Sequence, residues 1–269
     1  MSPTLMQGVI RLVEDAGQAI LPFWRQGVAV HSKSDNSPVT AADLAAHKIL
    51  DQGLRALAPE IAVLSEEAAD IPFAERQSWS RWWLVDPLDG TKEFIADSEE
   101  FTVNVALVEN GKVLFGVVGV PATGVCYYGG ENLGAWRKDS HGITPIQVRE
   151  QPEQALVLVA SKRHSSPAQE QLLAGLEQAF AVELANIGSS LKFCLLAEAK
   201  ADFYPRLAPT SQWDTAAAQG VLEGAGGAVL HLNGQPFSYE ARESLLNPSF
   251  LALPKAAAWR EQVLGLLKP

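Results

Sequence analysis

The chain has 269 residues, 21 Lys plus Arg against 31 Asp plus Glu, a formal net charge of −10 and 47% hydrophobic residues. That is globular composition, long enough for one large domain or two packed lobes without metal or disulfide staples. The acidity and the lack of any long Lys/Arg run exclude a nucleic-acid polymer as partner; a small anion at a local site is not excluded.

Val9, Leu12, Val13, Ala16, Ile20 and Phe23 recur at helical spacing and predict an opening amphipathic helix that stops near Pro22. Glu14 and Asp15 interrupt its apolar pattern, so it reads as neither signal peptide nor anchor, and no uncharged run approaches the ~20 residues of a membrane span. A polar loop from Ser32 to Pro38 leads to Thr40, a good N-cap for a helix through Ala41, Asp43, Ile49 and Leu54. Short strands are expected over Ile61–Ser65, ending in Glu66-Glu67, and over Trp82–Val85, ending in Asp86-Pro87-Leu88-Asp89-Gly90. Phe101–Val108 and Val113–Val120 predict a hairpin about Glu109-Asn110-Gly111, and Cys126–Tyr128 and Gly134–Trp136 extend the same antiparallel sheet.

After Pro145 strands and helices alternate. Strands are expected over Ala155–Ala160, Val182–Asn186, Asp202–Pro205 and Gly227–Leu230, with helices over Pro167–Phe180, Ser190–Ala199 and Asp214–Glu223. The reading is an α/β (α+β) chain cut near residue 147, with an α+β lobe over 1–147 and an α/β lobe over 148–269. Cys126 and Cys194 lie far apart with no ligand-spaced partner, which argues against a disulfide or a thiolate zinc site and for the cytoplasm. Peripheral contact with the inner face of the cell membrane, and the oligomeric state, stay open.

The stretch Asp86 to Thr91 carries the most chemistry. A buried strand delivers Asp86, Pro87 is expected to force a turn that returns Asp89 to it, and Gly90-Thr91 opens a helix whose free N–H groups point the same way. Two carboxylates, the Leu88 carbonyl and that helix start suit a hard divalent cation and a phosphate, with Mg²⁺ favoured over zinc by the all-oxygen set. An ordinary Asp-Gly turn is the alternative. Taken alone, Glu66 reads as a solvated acid, Asp214 as an N-cap in Gln212-Trp213-Asp214-Thr215, and Asp43 as a first-turn helix acid.

The order Ser34-Asp35-Asn36-Ser37-Pro38-Val39-Thr40-Ala41-Ala42-Asp43, Glu66-Glu67, Asp86-Pro87-Leu88-Asp89-Gly90-Thr91, Trp213-Asp214 resembles the inositol monophosphatase superfamily along essentially the whole chain. Within it, Lys92-Glu93-Phe94, Gly188-Ser189-Ser190-Leu191-Lys192 and Asp214-Thr215-Ala216-Ala217 look like the CysQ-type 3′(2′),5′-bisphosphate nucleotidases. The resemblance implies a layered α/β/α/β/α fold and a Mg²⁺-dependent phosphomonoesterase of nucleotide metabolism and sulfur assimilation. Such an enzyme takes the 3′-phosphate of adenosine 3′,5′-bisphosphate, and of 3′-phosphoadenylyl sulfate, with two or three Mg²⁺ per site and an activated water.

Carried over by position, it implies metal ligation by Glu66, Asp86, the Leu88 carbonyl, Asp89 and Asp214. Asp43, Glu66 and Thr91 would serve the attacking water, and the Gly90 and Thr91 N–H groups the scissile phosphate. Ser161, His164, Gly188 and Lys192 would serve the nucleotide, although His164 also reads as an exposed loop histidine. Lys192, near the start of an otherwise apolar helix, opposes the helix dipole unless an anion lies close. His31, His47, His141 and His231 take structural or surface readings. An inositol or sugar monophosphatase with the same metal chemistry, and a non-catalytic nucleotide sensor or partner-docking protein, are the alternatives.

Overall fold

A computed structural model describes residues 1–27, 29–32, 38–160 and 167–266. Ser34 to Ser37 of the motif order, together with Ser161 and His164, lie outside these residues.

Helix α1 (Pro3–Ile20) is capped by Ser2, whose Oγ accepts from the Leu5 N–H at 3.2 Å, and Val9, Ile10, Val13, Ala16 and Ile20 form its buried face. A 3₁₀ turn over Leu21–Phe23 closes it at Pro22 as the sequence predicts. Two-residue strands β1 (His31–Ser32) and β2 (Pro38–Val39) pair antiparallel before helix α2 (Ala41–Leu57).

Strands β3 (Ala62–Ser65), β4 (Arg81–Asp89), β5 (Thr102–Glu109), β6 (Lys112–Val120), β7 (Val125–Gly130), β8 (Gly134–Asp139) and β9 (Gly142–Pro145) form one sheet in sequence order. Only β3 and β4 pair in parallel; the other neighbours are antiparallel. A 3₁₀ turn (Glu66–Ala68) and helix α3 (Phe73–Arg76) join β3 to β4, and helix α4 (Thr91–Ile95) follows β4. The expected hairpin closes on a two-residue loop, with Glu109 opposite Lys112 and positive φ at Asn110 (49°) and Gly111 (77°). Both residues tolerate that left-handed region, and the loop's twist matches the strands it joins.

The second half supplies strand β10 (Leu156–Ala160), helix α5 (Pro167–Glu177), strand β11 (Val182–Asn186) and helix α6 (Leu191–Ala197). Strands β12 (Tyr204–Arg206) and β13 (Thr210–Ser211), helix α7 (Ala216–Gly224), strands β14 (Gly227–His231), β15 (Leu246–Asn247) and β16 (Phe250–Pro254), and helix α8 (Arg260–Leu266) complete it. β10 and β11 pair in parallel, β16 lies antiparallel between β12 and β14, and a parallel bridge from Leu158 to Phe203 links the two groups.

The apolar residues fall into three clusters that define five layers. Val63, Trp83, Val85, Val105 and Val117 face α1 and α2, whereas Trp82, Leu84, Ala106 and Val118 face α6 and α7 on the other side of the sheet. Both faces are therefore buried, which is why β4 to β6 read as near-continuous apolar runs. The third cluster packs the far side of the second sheet, through Leu158, Leu230 and Leu251, on α5 and α8 through Leu172, Leu176, Val263 and Leu264. The order is α/β/α/β/α, as the resemblance implies. Helix α7 lies directly on β6 at Gly116, where a Cβ would stand 1.9 Å from the Ala217 carbonyl oxygen.

Two local expectations are corrected. Pro87 does not force a turn: β4 continues through it, and a bulge supplies the approach of Asp86 to Asp89. Asp86 opposes Asn104 and Asp89 opposes Thr102, so three steps on β4 match two on β5. In a regular strand residues three apart point to opposite faces; the extra residue returns Asp89 to the face of Asp86. The second correction concerns Asp214, which lies in the turn before α7; the helix starts at Ala216 with Thr215 as N-cap.

Candidate active site

Asp86, Asp89 and Asp214 converge, with one carboxylate oxygen from each lying within 4.8 Å of the others. Asp86 is 1% exposed and its Oδ1 accepts from the Leu88 N–H at 3.0 Å, which fixes the bulge from inside. Burial pushes its carboxyl well above the usual range, and the charges of Glu66, Asp89 and Asp214 push it further. Burial also raises Asp89 to about 6, with Lys192 opposing the shift, and it raises Asp214 well above normal, with Asp89 adding to the shift. Glu66, in the 3₁₀ turn after β3, stands against Asp86 and completes the acid set. Such crowding of one buried and several partly buried carboxylates is costly unless protons or cations compensate it.

Asp43 is 1% exposed on the first turn of α2. A capping box holds it, its Oδ2 accepting from the Thr40 N–H at 2.8 Å and the Thr40 hydroxyl at 2.7 Å. Its other oxygen faces the site: the Thr91 hydroxyl is shared between Asp43 Oδ1 at 3.4 Å and the Leu88 carbonyl at 3.3 Å. Burial raises the Asp43 carboxyl against the two Thr40 hydrogen bonds. Gly90 caps α4 with φ 88°, and a Cβ there would stand 2.9 Å from the Glu100 carbonyl oxygen. Both constraints demand glycine.

The opposite wall comes from the loop before α6. Ser190 donates its N–H to Asp89 Oδ2 at 2.6 Å, and its hydroxyl sits between Asn104 Oδ1 and Thr102 Oγ1, each at 2.8 Å. Asn104 Nδ2 closes this buried triangle on Thr102 at 3.0 Å. Lys192 is 6% exposed, donates from Nζ to the Ser189 carbonyl at 2.9 Å, and is pulled down to about 8 by burial although Asp89 opposes the shift. Asp89 is thus the anion that the position of Lys192 requires. Gly188 lines the cleft but donates its N–H to Glu100 Oε2 at 2.6 Å.

Glu66, Asp89, Gly90, Thr91, Gly188, Ser190, Lys192 and Asp214 line one cleft of about 310 Å³, with Asp86 and Asp43 buried behind its wall. Arg206 and Tyr204 line it too, and the sequence reading missed both. Arg206 donates to the carbonyls of Ala208 at 3.1 Å and Pro209 at 3.0 Å and makes no close ion pair among the described residues, although its charge opposes the rise of the Asp214 carboxyl. The alternating pattern of a three-residue strand gave no signal for it. Of the histidines with described side chains, His47 Nδ1 lies 2.9 Å from the Ser65 hydroxyl, His231 packs on Phe237, and His141 is exposed.

A layered fold around an acid cluster facing fixed cations defines a class of phosphate-handling enzyme, and the sequence model of the inositol monophosphatase family matches residues 4–264. The chain belongs to that family, which is metal-dependent, and its acidic cluster could hold a metal ion. Among its relatives, the 3′(2′),5′-bisphosphate nucleotidase CysQ of Escherichia coli K12 is 47% identical over 249 residues, covering 91% of this chain and 98% of that one. The enzyme of the same name from Haemophilus influenzae is 34% identical, covering 95% of each chain. The crystal structure of CysQ from Bacteroides thetaiotaomicron is 37% identical, with a TM-score of 0.80 over 93% of this chain and 97% of that one. A Thermotoga maritima IMPase at 23% identity and a TM-score of 0.77 shares the fold, covering 96% and 94%. Among the described residues no helix is long and apolar enough to cross a membrane.

Proposed function

We propose that the chain is a Mg²⁺-dependent phosphomonoesterase that hydrolyses the 3′-phosphate of adenosine 3′,5′-bisphosphate to AMP and phosphate, and accepts 3′-phosphoadenylyl sulfate. The observation that carries this reading is the convergence of Asp86 with Asp89 and Asp214, the latter two lining a cleft that also holds Lys192 and Arg206. The names of the relatives support the nucleotide substrate.

The all-oxygen donor set and its mutual repulsion suit a hard divalent cation. Glu66, Asp86, the Leu88 carbonyl, Asp89 and Asp214 would hold two or three Mg²⁺. When bound, Mg²⁺ supplies acidification of water and neutralisation of phosphoryl oxygens. Thr91 Oγ1 can accept a proton from the attacking water while passing its own towards Asp43 Oδ1, whose raised affinity for protons suits it to receive one. The Gly90 and Thr91 N–H groups would hold the transferring phosphoryl group. Lys192, with Gly188, Ser161 and His164, would orient the nucleotide.

The two-lobe division at residue 147 is part of this reading, supported by sheets that do not mix strands across it: the β1–β2 pair and the seven-stranded sheet of 62–145 lie before it, and the sheets of strands after 155 lie beyond it. A cytoplasmic setting accords with the two buried free thiols, Cys126 and Cys194. Peripheral membrane contact carries no such support.

The test is phosphate release from adenosine 3′,5′-bisphosphate, inositol 1-phosphate and an aryl phosphate, with and without Mg²⁺. Preferred Mg²⁺-dependent turnover of the nucleotide is expected. Asp89→Asn is expected to abolish turnover of all three, and Lys192→Ala to impair the nucleotide far more than the aryl phosphate. Faster turnover of inositol 1-phosphate would overturn the substrate assignment, and undiminished activity of Asp89→Asn the metal assignment.

A further inference from the structure

Asp214 is the one member of the acid cluster that comes from the second half of the chain, and it stands on a turn, not on a strand or helix. Its Oδ2 accepts from the Ser211 N–H at 2.7 Å, and its own N–H donates to the Ser211 carbonyl at 3.2 Å. Those contacts shape the turn without fixing where the turn stands.

Asn247 does the fixing. On β15 it lies directly opposite Thr210 of β13, and it is 7% exposed. Its Nδ2 faces three acceptors around the turn, the Ser211 carbonyl at 2.7 Å, Thr215 Oγ1 at 2.9 Å and Thr210 Oγ1 at 3.2 Å. Its Oδ1 accepts from Arg242 Nη2 at 3.1 Å. The neighbours settle the amide's orientation, because reversal would set its NH₂ against a guanidinium and its oxygen against a carbonyl. One side chain therefore grips both flanks of Asp214.

The segment carrying Asn247 is in turn held by the first half of the chain. Arg76, 8% exposed on α3, donates from Nη1 to the Arg242 carbonyl at 3.1 Å and from Nη2 to the Glu243 carbonyl at 3.0 Å. Its Nε donates to the Ile71 carbonyl at 3.0 Å. A guanidinium spent on three neutral carbonyls, with no carboxylate partner among the described residues, is a costly fastening whose fork fixes direction. Arg76 lies on the same β3–β4 connection as Glu66, and that connection leads into the strand bearing Asp86 and Asp89.

From this we propose that Arg76 and Asn247 are positioning residues that set the location of Asp214 against Asp86 and Asp89, and so tune the affinity of the cluster for divalent cations. The proposal rests on the reading of these acids as metal ligands. Neither residue is among the acids themselves; both act through Asp214.

The test is a calorimetric Mg²⁺ titration of the full chain, combined with amide hydrogen exchange at Ser211. The variants are Asn247→Ala, Arg76→Lys, Asp214→Asn and the Asn247→Ala/Asp214→Asn pair. Both single positioning variants are expected to weaken Mg²⁺ binding tenfold or more and to speed Ser211 exchange. In the Asp214→Asn background Asn247→Ala is expected to add less than twofold, because the pair acts through one group. Should Asn247→Ala not fold, Arg76→Lys, which keeps the charge and loses the fork, supplies both readouts. Mg²⁺ affinity and Ser211 exchange within twofold of wild type in a folded variant would overturn the proposal, as would an Asn247→Ala effect that persists without Asp214. Unchanged Mg²⁺ affinity in Asp214→Asn would instead overturn the ligand reading, and Ser211 exchange would still decide the positioning.

Discussion

Replacing Asp86 by Asn is expected to stabilise the metal-free protein. The substitution keeps an oxygen for the Leu88 N–H and removes a buried charge that faces Glu66, Asp89 and Asp214. At 4.8 Å and an effective dielectric constant of 20, each ionised pair costs about 3.5 kcal/mol. The cluster escapes part of that by keeping protons, and the rise of Asp89 from 3.8 to about 6 alone corresponds to about 3 kcal/mol at alkaline pH. A net gain of about 2–4 kcal/mol, or about 5–10 °C in melting temperature, is expected at pH 8 with a chelator. These acids bind protons more tightly folded than unfolded, so the metal-free wild type loses stability as pH rises from about 4 through 6 and above. The advantage of Asp86→Asn is therefore greatest at pH 8 and fades towards pH 4. Thermal unfolding followed by circular dichroism at both pH values, with chelator and then with Mg²⁺, reads all of this. Mg²⁺ is expected to raise the wild-type melting temperature and to leave the variant almost unmoved. A variant no more stable than wild type at pH 8 without metal would refute the reasoning.

Thr91→Val removes the hydroxyl shared by Asp43 and Leu88; its hydrogen bonds of 3.4 and 3.3 Å are long, so stability is expected to change little. The rate constant kcat is expected to fall about 10²- to 10⁴-fold with KM nearly constant, as steady-state phosphate release will show. Gly116→Ala places a Cβ 1.9 Å from a backbone oxygen of α7 and is expected to cost more than about 4 kcal/mol or to prevent soluble expression. Gly124→Ala, where φ is 68° and nothing lies within 4 Å, is expected to cost only about 1–2 kcal/mol in urea unfolding.

Asp86 and Asp89 were readable because the signal is local: a strand, two acids three apart, a glycine and a helix start within ten residues. What the sequence could not express was how the acids meet. The bulge depends on the register of β4 against β5, which the Asp-Pro step obscures by imitating a turn. The position of Asp214 depends on Asn247, and that of Asp89 on Ser190, partners 33 and 101 residues away by their numbers and linked through ordinary polar side chains. Phe250–Pro254, the central strand of the second sheet, is a five-residue apolar run that periodicity alone cannot assign. Arg206 was invisible for a related reason, because the cleft it lines is assembled from both halves.

The bulge between Asp86 and Asp89 also governs which changes in chain length the site can survive. Deleting Pro87 or Leu88 would remove the bulge; Asp89, then two residues from Asp86, would keep the same face, but the bulged backbone that offers the Leu88 N–H to Asp86 and the Leu88 carbonyl to Thr91 would be lost. An insertion would break pairing with β5 at the other side of the same step. Point substitutions can accumulate on this strand, but its residue count cannot fall by one there without losing the Leu88 contacts to Asp86 and Thr91. The site thus depends on the backbone between the two acids as well as on their side chains.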